Sequence, residues 1–512
     1  MKKFIFPLFI ALLFMACNQP KELTKIEQWE VFEIELSGPT EGTPFIDVEL
    51  NATFKLNEKS VKVPGFYDGN GIFRIRFSPD EVGDWTYQTS SNIEALSGKK
   101  GSFECVTATG KNHGPLQIVN SFYLEYADKT PFYSIGTTAY QWTSVKQSIQ
   151  EKTLETLVSA FFNKIRMCVF PKWYKYGNDT EPWLYPFKRN GDQNDFTQPN
   201  YEFFQNFDLR VKQLRDMGIQ ADVILFHPYD KNWGYYLMGD EMNEKYVQYM
   251  IARISAYRNV WWSLANEWDI PEIKDTVKWE SIGTLLQKED AYNHLRGIHN
   301  WYGSEDHFYD HTEPWVTHVS TQTHQFFNAI KWRNQYQKPL LFDEMRYEGD
   351  VASSWGSLTA QQMASYFWMA GLSGGYPTHG DTFNNDSDTT EVRWWAKGGT
   401  LMGESPERIA FFKSIMEQAP VTEMTPKLID NGDPENLDNN IYLFSKPGEF
   451  YLAYVANPRE TIQIELPGNQ EYKLEIIDTW NKKITEQTIA KPGKFEFKTT
   501  FPFCALRITK KQ

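Results

Sequence analysis

Between Phe132 and Ala419 the hydrophobic period of the sequence switches repeatedly from that of a buried strand to that of an amphipathic helix. The runs Phe132–Thr138, Ile165–Phe170, Ala221–Phe226, Val260–Leu264, Gly297–His299, Trp315–Thr321, Pro339–Phe342 and Gly374–Thr378 read as strands. Helical spacing follows most of them, at Leu154–Phe162, Phe203–Met217, Glu241–Tyr257, Trp279–Lys288, Phe326–Tyr336, Ala360–Leu372 and Pro406–Ala419. The helix after the fifth strand is poorly marked. Thr359 and Gln362 have capping-box spacing, and Ser405-Pro406 reads as an N-cap followed by Pro in the first turn. Parallel strands need a crossover between them, and eight such units fit a (β/α)8 TIM barrel of class α/β, here over residues 113–420. A doubly wound open sheet is the alternative. No glycine-rich phosphate fingerprint follows any strand, which disfavours a nucleotide-binding version of it.

On both sides of this region the period is two. Phe32–Leu36 and Phe73–Phe77 alternate, with the turn signal Asp68-Gly69-Asn70-Gly71 between them. Residues 27–112 are therefore expected to form an N-terminal β-sandwich. Tyr451–Val455, Ile462–Leu466 and Phe495–Lys498, punctuated by Gly432, Gly448, Gly468 and Gly493, predict a C-terminal β-sandwich over 421–512.

The first residues are expected to be a leader rather than fold. Lys2 and Lys3 precede an apolar run, Phe4–Met15, too short to span a bilayer. Leu13-Phe14-Met15-Ala16-Cys17 resembles a lipobox. The expectation is a signal peptide over 1–16, acylation at Cys17 and a tether over 17–26, giving a lipid-anchored protein of the bacterial cell envelope. An ordinary secretory signal with a chance Cys is the alternative. Cys105, Cys168 and Cys504 are odd in number and contain no C-x-x-C, so neither a disulfide framework nor a zinc site is expected.

Charge and aromatic content narrow the function. With 66 acidic against 52 basic residues, the chain has the wrong balance for a nucleic-acid partner. Aromatic residues make up 16% of it, enough for both a large core and sugar-stacking platforms.

Catalytic groups of a (β/α)8 barrel sit at the C-terminal ends of its strands. Glu267 ends the run Val260-Trp261-Trp262-Ser263-Leu264-Ala265-Asn266-Glu267, and Glu344 ends Pro339-Leu340-Leu341-Phe342-Asp343-Glu344. The strand count puts them after strands four and seven. Two carboxyl groups across a sugar pocket cleave a glycosidic bond when one is held protonated for the leaving oxygen and the other attacks the anomeric carbon. Asn266 is placed to hydrogen-bond the neighbouring sugar hydroxyl. A slip of register would put Asp343 or Glu348 in the place of Glu344, or Asp269 in that of Glu267, and these alternatives stay open.

Asn266-Glu267 together with Glu344 resembles the clan A glycoside hydrolases, retaining enzymes on a (β/α)8 barrel. Longer blocks are similar to the apiosidase-like glycoside hydrolases of polysaccharide-degrading bacteria. They are Gly136-Thr137-Thr138-Ala139-Tyr140, Phe170-Pro171-Lys172, Leu225-Phe226-His227-Pro228-Tyr229-Asp230, Trp261 to Glu267, Asp343-Glu344-Met345-Arg346-Tyr347-Glu348-Gly349 and Trp394-Trp395-Ala396-Lys397-Gly398-Gly399. In that group one β-sandwich precedes the barrel and another follows it. Tyr67-Asp68-Gly69 and Arg76-Phe77-Ser78-Pro79 resemble the first, and Ile477-Asp478-Thr479-Trp480 the second. The resemblance implies Glu267 as acid/base and Glu344 as nucleophile in a double displacement. It implies a plant, algal or microbial polysaccharide or its oligosaccharides as substrate. Apiose specificity is not carried over.

Secondary candidates surround the pair. His227 and Tyr229 follow strand three, and His299 and His379 follow strands five and eight. In a glycosidase they would bind hydroxyls or tune the carboxylates. Trp142, Trp268 and Trp394 lie in or near strand-end loops, where a ring either stacks on a sugar or packs in the core. Arg346, with Arg166 and Lys172, either reads an anionic substituent or pairs within the barrel. No metal and no other cofactor is expected, nor is an obligate protein partner evident. A metal-dependent hydrolase using the histidine set is the competing reading, but no H-E-x-x-H is present and His307 and His311 make only an i, i+4 pair in a loop. A non-catalytic glycan-binding lipoprotein on a decayed barrel is disfavoured by the intact carboxylate pair.

Overall fold

The structure, a computed structural model, describes residues 23–173, 181–271, 275–301, 303–384, 393–430 and 432–511. The expected signal peptide, Cys17 and the start of the tether lie outside the described residues.

Eight parallel strands form the central sheet: β1 Gly136–Thr138, β2 Lys164–Cys168, β3 Gln220–Phe226, β4 Val260–Ala265, β5 Arg296–Gly297, β6 Val319–Gln322, β7 Leu340–Glu344 and β8 Gly375–His379. They are hydrogen-bonded in chain order, and β8 returns to pair with β1. Only β5 and β6 share no ladder, and the parallel bridge His299–Ser320 closes the ring there. The sheet is thus a barrel and not a doubly wound open sheet. Its helices are α1 Gln147–Ala160, α2 Tyr201–Met217, α3 Asp240–Ile254, α4 Trp279–Glu289, α5 Ala329–Tyr336, α6 Ala360–Leu372 and α7 Ser405–Met416. Among the described residues, the β5–β6 connection carries only the single turn Glu305–His307, which accounts for the missing helical signal. The Thr359–Gln362 capping box opens α6. Ser405 does not cap α7: it is the first helical residue, and its hydroxyl is bonded to Glu348.

The barrel interior is charged. Lys164 Nζ lies 2.5 Å from Asp343 and 3.0 Å from Asp222, and Arg166 Nε lies 3.5 Å from Asp222. All four side chains are buried. Such groups tolerate burial only when paired, so the network is costly to break and confines each member to one orientation.

In the N-terminal domain Lys59–Tyr67 pairs first with Leu50–Leu56 and then with Ile72–Phe77, joining two antiparallel layers. Phe54 stacks on Phe77 at 4.0 Å and Phe32 on Phe103 at 4.2 Å, filling the space between. Residues 25 and 26, expected in the tether, instead open the edge strand Lys25–Glu27, which runs parallel to Lys100–Val106. Ile26 packs there against the sandwich core, an apolar gain that draws the segment into the sheet. The domain is locked to the barrel by Arg76 and Arg253, which both reach Asp208, at 2.8 and 2.6 Å, while Arg253 also holds Asp68 at 2.8 Å. The C-terminal domain has a six-stranded sheet and a separate antiparallel pair, Ile462–Leu466 with Gly493–Phe497. Its Tyr454 stacks on Trp368 of α6 at 5.6 Å and donates to Ser365.

Candidate active site

The C-terminal ends of the strands surround a cavity of about 500 Å³, lined by both Glu267 and Glu344. Local backbone irregularities aim the two carboxylates. Along β7 strict alternation would send only one of Asp343 and Glu344 inward. Asp343 takes that place beside Lys164. The β6–β7 register then shifts, with Thr321 opposite Phe342 but Gln322 opposite Glu344, and the slip turns Glu344 into the mouth as well. Glu267, just past β4, has φ of 56°, and Arg346, two residues past β7, has φ of 76°. Left-handed backbone at non-glycine residues is strained, and it is retained here on either side of one cavity.

Three polar groups crowd Glu344 Oε1. The Tyr140 hydroxyl donates to it, His299 Nε2 lies 3.4 Å away and Arg166 Nη1 lies 3.6 Å away. Burial pushes the Glu344 carboxyl up, but His299, Arg166 and Tyr140 outweigh it and hold the group below the ordinary range. Glu267 is biased the other way. Burial raises it and the Glu344 charge adds to this, against the opposing pull of Lys172 and the Tyr229 hydroxyl. Asn266 bridges the two halves, accepting from Arg166 Nη2 at 3.3 Å and donating to the Tyr229 hydroxyl at 2.9 Å. Lys172 Nζ sits 4.9 Å from the Tyr140 ring and 4.8 Å from that of Tyr229.

The alternative carboxylates are committed elsewhere. Asp343 is held by Lys164 and Ser320 inside the barrel. Glu348 accepts from the backbone N–H groups of Glu404 and Ser405, fixing the start of α7. Asp269 accepts from the Trp301 N–H at 2.5 Å and lies 3.1 Å from His307.

Of the other expected residues, Asn266 and Arg346 line the cavity, Tyr229 touches Asn266, and His299 lies buried against Glu344. Tyr229 and His299 are not themselves lining residues, and neither are the remaining five. His379 follows Thr378, which reaches Asp343 in the interior, so alternation turns His379 outward to stack on Phe162 at 5.1 Å. His227 turns its Nε2 to the Phe170 carbonyl at 3.0 Å and lines a separate small pocket. Trp142 is core, with its indole N–H on Met167. Trp394 is buried with its N–H on Thr137, and it is the next residue, Trp395, that lines the cavity. Trp268 packs edge-on to Tyr309. The rings that line the cavity are instead Trp301, 43% exposed, together with Trp355, Trp395 and Tyr347. Tyr347 stacks on Trp395 at 6.0 Å, and Trp355 meets Trp395 edge-on at 5.4 Å. Tyr140 and Tyr347 were visible in the sequence only as members of matching blocks. Among the described residues, no three His, Cys, Asp or Glu side chains are grouped to hold a metal ion, and Cys105, Cys168 and Cys504 are free and buried.

A (β/α)8 barrel between two β-domains, with a carboxylate-lined cavity at its C-terminal face, defines the clan A-like glycoside hydrolase fold. A family model described as "Apiosidase-like, catalytic domain" matches residues 119–422, and the chain belongs to that family of glycoside hydrolases. Two domains of unknown function, DUF5060 and DUF5605, match residues 25–92 and 440–509. A protein from Bacteroides vulgatus ATCC 8482, described provisionally as a glycoside hydrolase, is 36% identical, with a TM-score of 0.85 over 95% of this chain and 100% of that one. A glycoside hydrolase family 5 protein from the same organism shares the fold at 15% identity, with a TM-score of 0.62 over 78% of this chain and 93% of that one. No curated protein matches the chain.

Proposed function

We propose that the enzyme hydrolyses glycosidic bonds of a polysaccharide or its oligosaccharides by double displacement. Glu344 attacks the anomeric carbon while the Glu267 carboxyl passes its proton to the departing oxygen. Glu267, now a carboxylate, then takes a proton from water. That water opens the Glu344 ester at the same carbon and restores both groups, with net retention. The observation that carries this reading is the opposite bias of two carboxyl groups lining one cavity: Glu267 is raised and Glu344 lowered, the division an acid and a nucleophile require. Asn266 supports it, since Arg166 and Tyr229 fix its amide in the wall of the same cavity. Trp301, Trp355 and Trp395 supply ring faces for the apolar side of a sugar.

The test is product analysis on a panel of plant, algal and microbial glycans and aryl glycosides, with the anomeric configuration of the first product followed by NMR. Retention is expected. An inverted first product would overturn the nucleophile assignment.

A further inference from the structure

The bridge that closes the barrel between β5 and β6 places His299 and Ser320 side by side, with Glu344 above and Asp343 beyond. We propose that Ser320 is a positioning residue that fixes a proton on His299 Nδ1, so that the nitrogen facing Glu344 carries a proton only when the ring holds two. The importance given to Glu344 rests on its reading as nucleophile; the proton assignment itself does not.

The assignment follows from counting donors. Asp343 is buried, 2.5 Å from Lys164 Nζ and 4.0 Å from Arg166 Nε, so it stands as an anion with no proton to give. Burial alone would raise it, but the Lys164 and Arg166 charges hold it far below the ordinary range. The Ser320 hydroxyl, 2.6 Å from Asp343 Oδ2, must therefore donate to it. Its oxygen then has only lone pairs for His299 Nδ1, which stands 3.2 Å away and must be the donor. The ring is fully buried, and its backbone is held by Ala265 and Trp268, so no solvent-facing position is open to it.

Nε2 consequently meets Glu344 Oε1 in one of two ways. A neutral ring presents a lone pair to the carboxylate, whereas a doubly protonated ring presents an N–H. The charged groups that bear on the choice are Glu344 itself, Glu267, Asp343 behind Ser320, and Arg166, which approaches the same Glu344 oxygen; His311 lies within electrostatic reach of the ring. The tautomer of His299, and with it what Glu344 Oε1 meets, is thereby set by a serine that touches no substrate.

The test is ¹⁵N NMR of histidine-labelled enzyme across a pH series, with the His299 signals assigned by a His299→Asn variant. In the wild type the neutral ring should show N–H at Nδ1 and a bare Nε2. In Ser320→Ala the acceptor is gone, so the neutral proton should move to Nε2 and point at Glu344. Ser320→Thr should restore the wild-type pattern. A wild-type ring with its neutral proton on Nε2, or a Ser320→Ala ring unchanged from the wild type, overturns the proposal. The wild-type spectrum decides even where the variant folds poorly. Should Glu344→Gln keep its activity while Nδ1 carries the proton, the nucleophile reading fails and the proton assignment stands.

Discussion

The Tyr140 hydroxyl, just past β1, donates to Glu344 Oε1 at the end of β7. Arg166 steadies the arrangement, with Nη1 3.2 Å from the same hydroxyl. Tyr140→Phe removes one of the groups that keep Glu344 ionised, so its carboxyl should rise toward the ordinary range. The acid limb of kcat/KM should shift upward in pH. The loss at the optimum should be about 10- to 150-fold, matching about 1.5–3 kcal/mol for a hydrogen bond to a charged group. A pH–rate profile of the variant checks both, and an unmoved acid limb would detach Tyr140 from the nucleophile.

Glu267 and Glu344 are separable by leaving group. Substitution of either by Ala or Gln should cost on the order of thousands-fold on a natural glycan. An aryl glycoside with a strongly acidic phenol needs little proton donation. Glu267→Ala should therefore still form the glycosyl-enzyme from it and then stall, giving a burst of phenol in stopped flow. Glu344→Ala should give no burst, having no nucleophile to trap. A burst from the second variant and none from the first would exchange the two roles.

The barrel was legible because each buried strand and each amphipathic helix announces its own period, and the two strand-end glutamates followed from counting. Side-chain direction at strand ends was not. His379 was expected in the mouth, yet simple alternation sends it outward. Glu344 reaches the mouth only through a register slip that neither strand announces. Trp394 and Trp395 are adjacent and chemically alike, and only the turn of the short helix Trp394–Lys397 decides which faces the cavity. The Ser320–His299 contact depends on barrel closure between segments without a regular ladder, a long-range event with no local sequence signature.

Trp301 offers the most exposed ring on the cavity wall, and its backbone is pinned by Asp269. A stacking platform contributes mainly to binding. Trp301→Ala should therefore raise KM roughly 2- to 12-fold, the equivalent of about 0.5–1.5 kcal/mol, with kcat little changed. Asp269→Asn should move KM in the same direction by less, since it loosens the loop without removing the ring. Steady-state kinetics on one oligosaccharide checks the pair; a fall in kcat alone would place Trp301 in the chemistry instead.

The sandwich–barrel joint gives a stability prediction with a pH signature. Asp208 receives Arg76 and Arg253, and Arg253 also holds Asp68, all out of water. Asp208→Asn leaves two buried guanidinium groups short of an anion and should cost about 3–5 kcal/mol. Asp68 carries the pH dependence. Burial would raise its carboxyl, but the Arg253 and Arg74 charges outweigh this and hold it below the ordinary value. A carboxyl depressed in the folded state binds its proton more tightly once unfolded. Its stabilisation is thus complete above the unfolded value, about 3.9, and is lost as pH falls below that through the folded one. Urea unfolding from pH 7 down to pH 3 should show a steeper loss at the acid end for the wild type than for Asp68→Asn. The variant should be less stable at neutral pH and converge on the wild type in acid. Parallel curves for the two proteins would remove Asp68 from the joint's pH response.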